Sequence, residues 1–367
     1  METEDIKFMN RAIELADKGT GWVNPNPLVG AVIVREGRII GEGWHERYGG
    51  LHAERNAFKS CKEDTSGATM YVTLEPCCHY GKTPPCTEAV IGHQIARVVI
   101  GMTDPNPLVA GKGVQILREA GIEVITGVEE ERIREQNRIF LKYITRNCPW
   151  VVMKTAMTLD GKIAAYTGDS RWVTGKEARQ KVQEMRKTYM GIMVGKGTVK
   201  ADDPLLNCRL EGECRQPVRI VVDSQADISL DSQLVKTAGE YRLIVAHTAK
   251  AGVVKLALLN KSGVETLCCR TQDERVDLPD LLEQLGRLGL DSVLLEGGGE
   301  LNEAFIRQGL VDEVCCFIAP KIIGGKEAKT PVEGNGFARM SEAVELEWVS
   351  VETVGNDILI RGLLKKK

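Results

Sequence analysis

The sequence has no run of eighteen or more apolar residues, so no segment reads as a membrane-spanning helix. It has no excess of either charge: 48 Lys and Arg stand against 51 Asp and Glu, a formal net charge of −3. That balance leaves no basic footprint for a nucleic-acid backbone. Aromatic residues make up 5% of the chain, too few to interleave a base-stacking surface. The opening residues Met1-Glu2-Thr3-Glu4-Asp5 are acidic and lack the basic-then-apolar layout of an export signal. There is no internal repeat and no low-complexity segment. These absences argue against a secreted, membrane, fibrous or disordered protein, and the expected location is cytoplasmic.

What is present is 367 residues with 43% hydrophobic content, enough for two cores and more than one domain usually holds. Eleven cysteines are an odd number in a long chain. In a reducing compartment they read as buried or metal-binding side chains rather than disulfides.

The first half alternates in type. Ile6, Met9, Ile13 and Ala16 recur at helical spacing over 6–17. Strands over 30–34 and 38–41 meet at Glu36-Gly37, a hairpin signal. Helices are expected over 52–61, 87–93, 113–120 and 129–146, with strands over 68–74, 97–102 and 122–126. Helix–strand alternation after a hairpin implies a layered α/β domain. At Asn147-Cys148-Pro149 the pattern resets, because a helix must stop before the proline. The domains are expected at 1–146 and 147–367. In the second, strands are expected at 150–156, 190–195, 218–222, 242–246, 264–268, 292–296 and 313–318. Helices are expected at 176–188, 278–288 and 299–308. The tail, 344–353 and 356–363, reads as an antiparallel pair at a sheet edge.

His52-Ala53-Glu54 opens a predicted helix. Glu75-Pro76-Cys77 closes a strand, and Pro84-Pro85-Cys86 opens the next helix. One imidazole and two thiolates leave the fourth tetrahedral position of a zinc ion open, which is the catalytic arrangement. Zinc lowers the pKa of its bound water to roughly 7. Glu54, two residues from His52, can take that water's proton and pass it to a leaving amine. Hydroxide with a carboxylate shuttle suits loss of ammonia from an amidine-like carbon, as in zinc deaminases. Those enzymes space their cysteines by two residues, whereas eight separate Cys77 from Cys86. Cys78 and His79 are therefore rival ligands.

Asn26-Pro27-Leu28-Val29-Gly30, His52-Ala53-Glu54, Thr73-Leu74-Glu75-Pro76-Cys77, Gly81-Lys82-Thr83-Pro84-Pro85-Cys86 and Asp104-Pro105-Asn106-Pro107 together resemble the riboflavin-biosynthesis deaminases. In that family a long insert between the cysteines is the norm. The resemblance implies a cytidine-deaminase-like three-layer α/β/α fold, zinc on His52, Cys77 and Cys86, and Glu54 as shuttle. It makes Cys78 a non-ligand. It places Asn26, His45, His79, Lys82, Asp104 and Asn106 around the pyrimidine and its ribose phosphate.

In the second half no Gly-x-Gly-x-x-Gly follows a strand, so a Rossmann reading is weak. Two other Gly-rich turns stand out, Gly195-Lys196-Gly197-Thr198 and Gly297-Gly298-Gly299, each after a predicted strand. Glycines let a phosphate approach the backbone, and a helix N-terminus supplies N–H donors. With Leu159-Asp160-Gly161-Lys162, Gly168-Asp169-Ser170-Arg171-Trp172, Ala201-Asp202-Asp203-Pro204 and Glu296, these turns resemble the pyrimidine reductases, relatives of dihydrofolate reductase. The resemblance thus covers nearly the whole chain and is to the bifunctional bacterial enzymes. It implies a dihydrofolate-reductase-like α/β fold and NADPH held by Ala156, Trp172, Thr198, Asp202, Ser224, Gly298, Gly299 and Glu300. It implies substrate contacts from Ser170, Arg186, Leu206, Arg209 and Glu296. Arg186 and Arg209 could clamp a ribose phosphate, and Glu296 or Lys154 could move protons. The family also implies a homodimer or homotetramer through the reductase half. The rival classes are a deaminase of nucleotides or nucleic acid, and a non-catalytic protein with structural zinc.

Overall fold

The computed structural model describes residues 3–80, 84–106 and 110–365. The chain divides into two compact units, 1–147 and 148–367. Asn147 adopts the left-handed conformation that closes the last helix of the first unit (φ 48°).

The first unit begins with α1 (Thr3–Asp17), which buries Met9, Ala12, Ile13 and Ala16 on one face. Strands β1 (Gly30–Arg35) and β2 (Arg38–Trp44) form the expected hairpin. Glu36 and Gly37 at its turn both have positive φ, the conformation that matches strand twist. Then follow α2 (Ala53–Ser60), β3 (Thr69–Leu74), α3 (Cys86–Gly92), β4 (Arg97–Met102), α4 (Lys112–Glu119), β5 (Glu123–Thr126), α5 (Glu130–Gln136) and α6 (Arg138–Arg146). The sheet order is β2-β1-β3-β4-β5, with β3, β4 and β5 parallel. Ile33, Val72 and Ile100 face Ala57, Val90 and Leu117 of α2, α3 and α4. Val32, Tyr71 and Val99 point the other way, onto Met9 and Ile13 of α1 and Ile133 of α5. The result is the expected three-layer α/β/α sandwich.

One expected element differs. The single helix over 129–146 is broken at Asn137 (φ −101°, ψ 16°). The buried Asn137 amide accepts from Leu28 N–H at 2.8 Å and donates to Leu28 C=O at 3.1 Å. A long-range side-chain bond of this kind leaves no trace in local periodicity.

The second unit contains β6 (Trp150–Thr158), α7 (Lys176–Thr188), β7 (Gly191–Gly195), α8 (Lys196–Asp202), β8 (Val218–Val222), α9 (Gln233–Lys236), β9 (Leu243–His247), α10 (Val253–Lys261) and β10 (Glu265–Cys268). After a small hairpin, β11 (Thr271–Gln272) and β12 (Arg275–Val276), come α11 (Leu278–Arg287), β13 (Ser292–Leu295), α12 (Gly299–Arg307), β14 (Glu313–Ala319), β15 (Leu346–Val354) and β16 (Asp357–Leu364). Nine strands order as β10-β9-β8-β7-β13-β6-β14-β16-β15. All are parallel through β14, and the tail pair closes one edge antiparallel. The parallel strands are apolar on both faces because helices cover both. Ile220, Ile244 and Val293 pack on α11 and α12, while Ile192, Val221 and Val245 pack toward α8, α9 and α10. Sequence patterning missed α8, α9 and α10. In α10 only Leu259 is buried and Val253 and Val254 are exposed, so no apolar stripe marks it.

Among the described residues, no helix is long and apolar enough to cross a membrane.

Candidate active sites

In the first unit the chemistry gathers at the N-termini of α2 and α3 and the end of β3. His52 is the N-cap of α2, in extended conformation, and Cys86 is the first residue of α3. Cys77 lies in the loop just after β3. Gly43 lets α2 lie close on β2, since a Cβ there would fall 2.2 Å from Ala57 N. The ligand atoms of His52, Cys77 and Cys86 lie within 4.8 Å of one another, the sole such group among the described residues. His52 Nδ1 is 3.5 Å from Cys77 Sγ and 3.4 Å from Cys86 Sγ, and Cys86 N–H donates to Cys77 Sγ at 3.3 Å. Cys78 and His79 stand outside the cluster.

One imidazole nitrogen and two sulfurs converging on one point suit zinc, with a fourth position open. The thiol chemistry agrees. The hydrogen bond from Cys86 pulls the Cys77 thiol down, while its bond to Cys77 and its burial push the Cys86 thiol up. Two sulfurs this close to one another and to an imidazole fit a divalent cation, which would ionise both. Glu54 is buried in the first turn of α2, beside Cys86, and burial raises its carboxyl above the usual range.

The expected pyrimidine-side residues fall in two places. His45 is buried, and burial lowers its pKa, so its imidazole is neutral. Its Nδ1 bonds Leu51 C=O at 2.9 Å, which leaves Nε2 to accept from Asn26 Nδ2 at 3.1 Å. The His45 and His52 rings meet edge-on, centroids 5.7 Å apart. Asp104 and Asn106 share a turn, Asn106 N–H donating to Asp104 Oδ1 at 2.9 Å. Burial raises the Asp104 carboxyl. His79 is exposed, and Lys82 lies outside the described residues. Sequence reasoning gave no role to Glu75, whose buried carboxylate collects four backbone N–H groups from 104–114. An acid closing a buried strand, beside Pro76-Cys77, was the available signal.

In the second unit a cavity of about 270 Å³ opens at the carboxyl ends of β6, β7 and β13. That is where open parallel sheets bind ligands. Lys154, Ala156, Arg186, Thr198, Asp202, Leu206, Glu296 and Gly298 line it, all expected from sequence. Asn302, from α12, also lines it and was not expected. Arg186 binds both oxygens of Glu296, at 3.0 and 2.9 Å, and donates to Asn207 C=O at 3.1 Å. Lys154 Nζ stands 4.0 Å from Glu296. Burial alone would raise the Glu296 carboxyl, but the Arg186 and Lys154 charges hold it down to about 2. Burial lowers Lys154.

The other expected residues do not line this cavity. Trp172 is exposed beneath the Arg179 guanidinium, and Ser170 is half-buried. Arg209 is exposed and bonds Asn207 Oδ1 at 3.3 Å. Ser224 Oγ accepts from Val276 N–H at 3.2 Å. Gly299 is the first residue of α12, packed against Glu333, and Glu300 pairs at the surface with Arg275 at 3.6 Å.

The comparisons with known proteins follow the same division. Residues 2–102 match the family model described as cytidine and deoxycytidylate deaminase zinc-binding region, and 149–360 match the RibD C-terminal domain. Fold and site therefore define a zinc-dependent deaminase joined to a reductase in one chain. The riboflavin biosynthesis protein RibD of Actinobacillus pleuropneumoniae is 53% identical over 97% of this chain and 94% of its own. That of Escherichia coli is 37% identical over 97% and 98%. The Acinetobacter baumannii RibD structure superposes with a TM-score of 0.89 at 37% identity, covering 99% of each chain. The Thermotoga maritima diaminohydroxyphosphoribosylaminopyrimidine deaminase/5-amino-6-(5-phosphoribosylamino)uracil reductase gives 0.87 at 41%, with the same coverage. The chain belongs to the RibD family, the bifunctional deaminase/reductases of riboflavin biosynthesis.

Proposed function

We propose that the first unit deaminates 2,5-diamino-6-ribosylamino-4(3H)-pyrimidinone 5′-phosphate. The second then reduces the ribosyl group of 5-amino-6-(5-phosphoribosylamino)uracil to ribityl with NADPH. The observation that carries the reading is the His52-Cys77-Cys86 cluster with buried Glu54 beside it, in one chain with a charged reductase cavity.

His52, Cys77 and Cys86 would hold zinc, which would supply a Lewis acid for hydrolysis near neutral pH. Glu54 takes a proton from the attacking water and returns it to the departing amino nitrogen, which leaves as ammonia. Burial raises its carboxyl above the usual carboxylate range, the direction that favours proton uptake. Asn26, oriented by neutral His45, reads the pyrimidine edge.

NADPH supplies the hydride of the second step. The Gly297-Gly298 turn and the α12 N-terminus offer a backbone approach for its phosphates. The ribosylamine opens to an imine, whose first ribose carbon accepts the hydride while its nitrogen accepts a proton. Glu296 stays anionic, so Lys154, its neighbour in the cavity, is assigned as proton donor. Arg186 is committed to Glu296, so exposed Arg209 is the better phosphate ligand.

All eleven cysteines are free, which suits a reducing cytoplasm. Edge strand β15 exposes Trp348, Val349 and Val351, which suits pairing of two copies through the reductase unit. Val351→Lys should then shift the molar mass in light scattering toward the monomer.

The deciding test supplies the diaminopyrimidinone ribosyl phosphate and follows ammonia, then NADPH oxidation, with and without a zinc chelator. Chelator-sensitive ammonia release followed by NADPH consumption is expected. Ammonia from a cytosine nucleotide but not from this substrate would overturn the reading.

A further inference from the structure

Glu75 follows the last residue of β3, is 3% exposed, and precedes Cys77 by two residues. A carboxylate so placed is costly unless hydrogen bonds replace its water. Four backbone N–H groups do so. Oε2 accepts from Asp104 at 3.1 Å and Gly111 at 3.0 Å, and Oε1 accepts from Gly113 at 2.9 Å and Val114 at 3.2 Å.

Three of those donors are the otherwise orphaned N–H groups at the start of α4, whose N-cap, Gly111, has no side chain to offer them. Glu75 caps this helix from another part of the chain. The contact is close. A Cβ on Gly113 would fall 2.3 Å from Pro76 C=O and 3.1 Å from Glu75 Oε1. The fourth donor, Asp104, opens the turn that carries Asn106. One carboxylate therefore fastens the segment holding Asp104 and Asn106 to the loop that presents Cys77.

We propose that Glu75 is a positioning residue for deamination. It sets the Asp104–Asn106 turn relative to the metal ligands, and so governs how the substrate's pyrimidine and ribose phosphate are held. The inference rests on the deaminase reading above and adds a residue to it. Both Glu75 oxygens are taken up by backbone N–H groups and Glu75 is not among the converging metal donors, so its loss should weaken substrate binding more than turnover.

The test uses Glu75→Gln in the full-length zinc-loaded chain. A carboxamide offers one acceptor oxygen and turns an NH2 toward backbone donors. KM for the diaminopyrimidinone ribosyl phosphate should rise at least tenfold, with kcat within about threefold of the parent. Zinc content should stay at the parent value. NADPH oxidation on separately supplied 5-amino-6-(5-phosphoribosylamino)uracil should be unchanged. Hydrogen exchange should quicken at the amides of Asp104, Gly111, Gly113 and Val114 while β1, β3 and β4 keep their protection. A KM within twofold of the parent overturns the proposal. So does loss of zinc in step with kcat, which would make Glu75 a support of the metal loop alone. If Glu75→Gln unfolds the first unit, Gly113→Ala decides, since its methyl would meet Pro76 C=O and the Glu75 carboxylate and push the same segment off its donors while keeping the Glu75 charge. A KM-selective defect supports the assignment, and an unchanged KM overturns it. Absence of ammonia release from the parent chain would instead sink the deaminase reading itself.

Discussion

Arg186 grips Glu296 through two parallel hydrogen bonds, Nε and Nη2 lying 3.0 and 2.9 Å from the two carboxylate oxygens. The pair joins α7 to the end of β13, and both partners are nearly buried. With Lys154 4.0 Å away, two cations bracket one carboxylate. The folded-state pKa of Glu296 is therefore held down, to about 2 against an ordinary 4.5. A depressed carboxyl contributes stability that is present above its unfolded pKa and lost as pH falls through the folded one. The second unit should thus lose stability between about pH 5 and pH 2, with a slope of up to roughly 1.4 kcal/mol per pH unit from this group. Glu296→Gln should flatten that slope, read by hydrogen exchange in β6, β7 and β13 across the range. An acid limb as steep as the parent's would refute the pairing.

The same substitution separates the two activities. Glu296→Gln removes the charge that faces Lys154 in the reductase cavity, and nothing from the zinc-site cluster. NADPH oxidation on the deaminated substrate should fall by about 10²-fold or more. Ammonia release should stay at the parent rate. Equal loss of both, or of neither, would contradict the division of labour.

Glu54 should show the mirror image. Glu54→Gln keeps size and burial but cannot shuttle a proton. Ammonia release should drop by about 10²- to 10⁴-fold, with NADPH oxidation on the deaminated substrate intact. Zinc content should be unchanged, because Glu54 is not one of the three converging donors. Full ammonia release by this variant would remove Glu54 from its role.

Removal of the metal tests the donor set. Chelation should abolish ammonia release and leave NADPH oxidation on the separately supplied deaminated substrate untouched. Cys86→Ala should lose zinc, while Cys78→Ala should keep both zinc and ammonia release, since Cys78 stands outside the cluster. Loss of zinc in the Cys78 variant would reopen the ligand assignment.

Much of this was legible because the decisive residues sit next to one another in sequence or at the ends of strongly patterned elements. His52 and Glu54 share a helical turn. Cys77 and Cys86 bracket a loop between a buried strand and a helix. What was not legible is what only the fold brings together. Asn137 breaks a helix to bond Leu28, more than a hundred positions away. Glu75 meets α4 across 38 positions, from the far side of β4 in the chain. Arg186 reads as a phosphate ligand until Glu296 is found on its guanidinium. The sequence identifies the charged groups but not which of them neutralise one another.

Arg219 shows the same limit in the strand core. It lies on β8, inside a run that reads as a plain buried strand, and is 0% exposed. Its guanidinium donates to the carbonyls of Leu205, Leu234, Thr237 and Tyr241 and to Thr237 Oγ1. Leu234 and Thr237 are at the carboxyl end of the short helix α9, where carbonyls lack helical partners and carry partial negative charge. Burial brings Arg219 down only to about 10, so it remains a cation at neutral pH. Arg219→Met would fill much of the space but leave those carbonyls without a donor. That should cost about 3–5 kcal/mol of stability in the second unit, measured by denaturant unfolding. Arg219→Lys should fall between the parent and Arg219→Met, because one ammonium cannot reach carbonyls spread across a planar fork. Leu205 adjoins Leu206 in the reductase cavity wall, so below the unfolding transition the KM of the reductase should rise before ammonia release changes. A Met variant within about 1 kcal/mol of the parent would mean the buried cation sets conformation without adding stability.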